Sequence, residues 1–426
     1  MLRKLFKELS VTLLLGIAIG LVVGIFEFLA PYIIRLAKYF AGSKNIWLNI
    51  IGIIISIGLG FLSYFSVIKY PETSGGGLFT LKSRIDNKDK NSNAFLSTCM
   101  IFIKSFFSFF GGLALGAEAP SVTMASYQAD IVHKVFKDDK KDDIAIAAGA
   151  GFGCAFLSPI SGIAFTFEMF LHRFSLKWFF RALAISAVSI LICYTFYRQS
   201  ALSFLSLEIF TAKQYYLLII IILASIFFCS IFKYLMKAIE KIIERYSDKF
   251  LVKYRVIFTF AAFSILTVFF YNLTGSGINI LVNENSLVIY ILLIYFFIRM
   301  ILTALSLNST ATGGSVVPIM VLGALVGKIV FSLTSEYMNI PADYEGDIML
   351  ISALTFFAVY TETIFTSSFF IITEAFKTFN MTIFASFIIP AFLTVSVSVV
   401  LYSILNEKIT YRFRLARNRK SLLTRL

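Results

Sequence analysis

Residues 110–122 read FGGLALGAEAPSV, and one carboxylate, Glu118, stands among their glycines, alanines and proline. The stretch decides the fold because two of its properties conflict in an ordinary apolar core. It lies in apolar sequence, where an ionisable side chain is expensive and marks function by default. It is also broken by Gly and Pro, which membrane-depth backbone tolerates only where it is enclosed by protein or lines a cavity. Lys104 and Lys134, the nearest basic residues, are more than a dozen positions away in sequence, so no local ion pair explains Glu118.

The sequence around this stretch is that of a membrane protein. Hydrophobic residues make up 58% of the 426 and charged residues 15%, against about 25% charged in soluble domains. Apolar runs recur at 11–29, 46–64, 182–197, 215–231, 256–271, 287–305 and 383–405. Several approach the roughly 20 residues that span a hydrocarbon core. Others are shorter or interrupted, as in broken helices that line a cavity. The expected class is an all-α polytopic membrane protein. A cleaved signal peptide is disfavoured for the first run: no small-residue cleavage pattern follows it, and further spans do.

Net charge is +14, and its distribution reads as topology rather than nucleic-acid binding. Basic residues gather at 3–7, 82–90, 134–141, 172–181, 233–253 and 412–425, whereas 334–347 carries Glu336, Asp343, Glu345 and Asp347 with no Lys or Arg. The positive-inside rule puts the basic segments and both termini in the cytoplasm of a cell-membrane protein. Cys99, Cys154, Cys193 and Cys229 lack paired spacing, and His133 and His172 lack partners at ligand spacing. No metal, cofactor or enzyme motif is expected.

The chain repeats itself weakly. SGGGL at 74–78 is echoed by GSGI at 275–278, with an offset of 200 between Gly77 and Gly277. GAEAP ends at Pro120 and GGSVVP at Pro318, an offset of 198. Glu168, in SPISGIAFTFEMF, matches Glu374, in IFTSSFFIITEAF, at an offset of 206. Three landmarks in one order divide the chain into a first repeat (1–232), a cytoplasmic helical linker (233–253) and a second repeat with a basic tail (254–426). Repeats of this kind place the substrate near midplane, at the ends of broken helices.

The Gly-rich breaks suit anions. A helix N-terminus offers unpaired N–H groups and the positive end of its dipole, so it binds an anion without a formal charge. Residues 74–79, 116–120 and 313–318 contain no Lys or Arg. Such a site holds an ion moderately, as conduction requires. A carboxylate beside it competes for the same amides, and protonation releases it. Taken singly, each break also fits tight packing or a hinge.

In order and wording these motifs resemble the CLC family of chloride channels and proton-coupled chloride transporters. PETSGGGLF at 71–79 is similar to that family's GSGIP segment, GAEAP to GREGP, GGSVVP to GxFxP, and KITYRFRLAR at 408–417 carries a tyrosine like the family's late one. The resemblance covers essentially the whole chain. It implies an inverted repeat of short tilted and re-entrant helices, and a homodimer with one pore per subunit. It makes Glu118 the external gate and proton acceptor. It implies anion ligation at Gly76, Ala119, Ser315 and Val316, with the Tyr411 hydroxyl on the central ion. Many members continue into cytoplasmic regulatory domains; this sequence stops at Leu426, and none is expected.

Three departures stand out. Gly76 replaces the family serine, which removes a hydroxyl donor and leaves the preferred anion open. Met169 occupies the internal glutamate position, with Glu168 one residue earlier, about 100° away on a helix. Glu168 is therefore either an internal proton relay or a structural anchor like Glu374. Ala117 and Phe79 replace the arginine of GREGP and the proline of GSGIP, altering packing around the pore. The expected function is transport of chloride or a similar small inorganic anion in exchange for protons. A passive anion channel and a secondary carrier of an organic anion are the alternatives.

Overall fold

The computed structural model describes residues 2–85, 93–136, 141–198, 215–283, 288–338, 340–378 and 388–423. It is helical throughout those residues, with one isolated antiparallel bridge.

The first half opens with α1 (Leu2–Ala41) and α2 (Ile46–Lys69). The Asn45 side chain accepts the Trp47 amide at 3.0 Å and so caps the start of α2. A 3₁₀ turn at Pro71–Gly77 leads into α3 (Leu78–Ile85), followed by α4 (Ala94–Phe110), α5 (Glu118–Phe136) and α6 (Lys141–Phe156). Then α7 (Pro159–Phe165) runs into a π-helical turn, Thr166–Leu171, before α8 (Leu176–Phe196).

The second half begins with α9 (Tyr216–Arg245), the short α10 (Phe250–Lys253) and α11 (Arg255–Phe269). It continues through α12 (Ile278–Asn283), α13 (Ile289–Asn308), α14 (Val316–Met338), α15 (Glu345–Thr361), α16 (Ile364–Thr378) and α17 (Ile389–Leu423).

Seven of the described helices are long and apolar enough to cross a bilayer: α1, α2, α8, α9, α13, α14 and α17. Six coincide with apolar runs of the sequence. The run at 256–271 forms α11, whose 15 residues are too short to cross alone. The seventh, α14, is the most enclosed, with 83% of its apolar window buried. Its sequence is interrupted by Gly323 and Gly327, and those glycines are why it sits inside. A Cβ at either would come within 2.7 Å of an α15 Cα atom, at Ala353 and Met349. Small residues let two membrane helices approach at backbone distance.

The same device joins α1 to α8. Gly16, Gly20 and Gly24 recur every fourth residue and meet Val188, Ile192 and Phe196 at the same spacing. The two helices therefore run parallel, which carries Glu27 of α1 to the level of Tyr197 at the end of α8. Packing of α5 on α6 in one half, and of α14 on α15 in the other, forms the centre of the molecule.

Candidate functional site: a carboxylate on the first turn of α14

The two Gly-rich segments singled out by the repeat meet. The Gly116 amide donates to the Gly314 carbonyl at 2.9 Å, and the Gly314 amide donates back at 2.6 Å. This bridge sets the beginnings of α5 and α14 side by side. Glu118, the first residue of α5, is 1% exposed, and its Oε1 accepts the Val317 amide at 2.9 Å. The carboxylate thus lies at the positive end of α14, where an anion is favoured. Its Oε2 is buried and has no hydrogen-bond partner.

Glycine is required on both sides of this carboxylate. A Cβ on Gly314 would stand 2.5 Å from Oε1 and 2.8 Å from the Ala119 amide nitrogen. A Cβ on Gly116 would fall on Oε2. Of the residues the sequence nominated, Glu118, Ala119, Ser315 and Val316 therefore gather at this bridge. The amide that holds Glu118 is one residue beyond the expected pair.

The remaining nominees lie elsewhere. Gly76 sits in the 3₁₀ turn, and its surroundings fall outside the described residues. Tyr411 lies in the backbone of α17, and its side chain is likewise outside them. Glu168 belongs to the π-helical turn and caps another helix. Its two oxygens accept the amides of Ile364, Phe365 and Thr366 at 2.9, 2.7 and 2.7 Å, plus the Thr366 hydroxyl at 2.6 Å. It neutralises the first turn of α16 from outside that helix. Met169 packs against the main apolar core.

Three functional candidates escaped the sequence reading. Lys104 of α4 is 1% exposed. Its Nζ donates to the Thr73 hydroxyl at 2.9 Å and the Thr73 carbonyl at 3.3 Å. The Thr312 hydroxyl donates to that same carbonyl at 3.1 Å, which ties the 3₁₀ turn to the second Gly-rich segment. The nearest cation in sequence to Glu118 thus serves a different segment.

Arg299 of α13 plays the matching part in the second half. It is fully buried and donates to the carbonyls of Leu273, Gly275 and Ser276 at 2.8–2.9 Å. Gly277, at φ +85°, leaves the space its guanidinium fills. Lys104 and Arg299 are separated by 195 residues, close to the repeat offset, and that spacing was the available signal.

The third is Glu27. A cavity of about 590 Å³ opens over the bridge, lined by Glu27 and Pro31 of α1, Gly116 and Glu118, and Tyr197 and Arg198 after α8. The Ser121 hydroxyl, three residues past Glu118, donates to Glu27 Oε1 at 2.9 Å. Glu27 lies inside the first apolar run and is an ionisable residue in a membrane segment, the same signal that drew attention to Glu118. Among the described residues no cluster fit to hold a metal ion occurs.

Comparison with known proteins gives the family and the fold. Residues 59–403 match the family described as Voltage gated chloride channel. The chain is 26% identical over 345 residues to the H(+)/Cl(-) exchange transporter ClcA of Vibrio cholerae, covering 76% of this chain and 72% of that one. It is 26% identical over 384 residues to the protein of that name from Vibrio parahaemolyticus, covering 82% and 78%. In structure it resembles a slow cyanobacterial Cl-/H+ antiporter, with TM-score 0.78, 20% identity and coverage of 97% and 98%. A CLC-type fluoride/proton antiporter matches with TM-score 0.71, 20% identity and coverage of 94% and 96%.

Proposed function

The chain belongs to the voltage gated chloride channel (CLC) family, and from that premise we propose that it moves a small inorganic anion, chloride first, across the membrane in exchange for protons. The observation that carries this reading is the Glu118 carboxylate on the Val317 amide. That carboxylate occupies the place of a transported anion. When it binds a proton it loses the charge that favours the helix N-terminus, and it yields the amides to the anion. One group then blocks the path when ionised and carries a proton when displaced. Relatives named as H(+)/Cl(-) exchangers support the pairing of anion with proton.

Ser315, Val316 and Ala119 supply the amides around the vacated position, and the family resemblance alone supports Gly76 and Tyr411 as the central site. Glu168, with both oxygens taken by the first turn of α16, serves as an anchor for that helix rather than as a relay. The basic segments support cytoplasmic termini, and the resemblance supports a homodimer.

Purified protein in liposomes tests the reading. A chloride gradient should drive protons uphill under a voltage clamp. Absence of any halide flux sinks anion transport. The capped Glu168 and apolar Met169 favour one second reading, a passive anion channel, which brisk chloride flux without proton flux would establish.

A further inference from the structure

We infer that Glu27 is a second proton-carrying carboxylate of the pathway, loading Glu118 from the cavity above the bridge. The inference rests on the exchange reading and extends it. Glu27 shares the cavity of about 590 Å³ with Glu118, and the Ser121 hydroxyl fixes one of its oxygens at 2.9 Å. Ser121 lies one helical turn beyond Glu118 on α5, so the two carboxylates flank the same turn.

The wall around Glu27 suits a proton site. Glu27, Ala30, Pro31 and Ile34 line the cavity from one face of α1. Pro31 has no N–H, so the Glu27 carbonyl lacks its usual helical donor. The Glu27 carboxylate itself lies at a half-buried position in an apolar helix. The volume admits a short chain of waters between the two acids.

The charged and titratable neighbours are few. From α5 they are Glu118 itself, and from the end of α8 Tyr197 and Arg198. The Tyr197 hydroxyl is engaged with the Cys154 carbonyl, and the Cys193 thiol with the Gly20 carbonyl at 3.4 Å. The faces of α4 and α6 toward the cavity are apolar, with Phe109, Ala155 and Phe156. Arg198 also lines the cavity and is exposed.

The transfer balances simply. A carboxyl proton leaves Glu27, crosses by water and binds the Glu118 carboxylate as that group leaves the Val317 amide. Glu27 becomes a carboxylate and takes its next proton from solution at the cavity mouth.

The experiment is paired chloride and proton flux in liposomes for the wild type and for E27Q and E27D, across external pH. E27Q should keep chloride flux within about twofold and lose about tenfold in proton flux. That loss is below the roughly hundredfold of an indispensable acid–base group, because Glu118 still reaches water through the cavity. E27D should restore proton flux with a shifted midpoint in external pH. Wild-type proton flux and pH profile in E27Q overturn the inference. Should E27Q transport nothing, E27D decides, and an unshifted midpoint there overturns it as well. A wild type that moves chloride without protons defeats the exchange reading instead. Glu27 is then judged by the external-pH profile of chloride flux, which E27Q must flatten or shift.

Discussion

The two Gly-rich segments at the centre of the molecule are placed alike and differ at one carboxylate. Each half brings a Gly-rich segment to the centre, each follows it with a buried helix start, and each braces a turn with a buried cation. The first half places a carboxylate, Glu118, at its segment; the second presents the amide that receives it, at Val317. A pore with the same half twice would have either two blocking anions or two vacant amide sites. On the proposed reading, the asymmetry makes one half the gate and the other its seat.

The braces differ too. Arg299 holds three carbonyls with a planar fork, whereas Lys104 holds the carbonyl and hydroxyl of Thr73 with one point charge. Arg is better suited to several fixed acceptors at once. We therefore expect the second half to be the more rigid frame, and the first, on the proposed reading, to carry the moving carboxylate.

Four substitutions test that comparison. Arg299→Met removes the donor of three carbonyls, one buried and two partly buried, and should cost on the order of 4 kcal/mol, read as a fall in the thermal unfolding temperature in detergent. An unchanged unfolding temperature would remove the rigid frame from the comparison. Glu118→Gln should lower proton flux about a hundredfold, the effect of losing an essential acid–base group, while chloride still moves without pH dependence. Retained proton flux would take the gate out of the first half. Lys104→Met should cost on the order of 2 kcal/mol, because it strands fewer acceptors. A loss equal to that of Arg299→Met would show the two braces to be equivalent. Gly314→Ala crowds Glu118 from the second half by about 1 kcal/mol of overpacking. It should raise chloride flux severalfold at neutral pH by expelling the carboxylate, and a lowered flux would mean that the seat had closed.

Much of the frame was legible before any coordinates. The Gly-rich breaks stand out because glycine and proline punctuate apolar runs, and their spacing repeats at nearly constant offset. Glu118 stands out because a carboxylate in apolar sequence is costly wherever it lies. The same rule applied to Glu27, but that residue lies in a long apolar run whose glycines, Gly16, Gly20 and Gly24, are spaced one helical turn apart and not clustered into a break. The linker residues 233–253 read as one helical stretch, whereas α9 ends at Arg245 and α10 starts at Phe250. Charge periodicity marks the helix and not its breaks. Helix α14 was hidden in the opposite way: Gly323 and Gly327 interrupt its apolar pattern, and the same glycines bury it against α15.

Glu168 shows where sequence reading stops. From the chain alone it was equally an internal relay and an anchor. Its partners at Ile364–Thr366 are 196 to 198 residues away, and nothing local announces them.

By itself, the sequence determined the membrane class and the family resemblance, and it singled out the Gly-rich helix starts and Glu118. All of these depend on the cost of a residue type in its immediate surroundings or on regular spacing along the chain. Tertiary structure alone decided which amide Glu118 takes, that Glu168 caps α16, that Lys104 and Arg299 brace the turns, and that Glu27 shares a cavity with the gate. Those are pairings across up to about two hundred residues. A buried polar group must find a partner, but which partner it finds is set by helix packing, and the chain does not encode that choice locally.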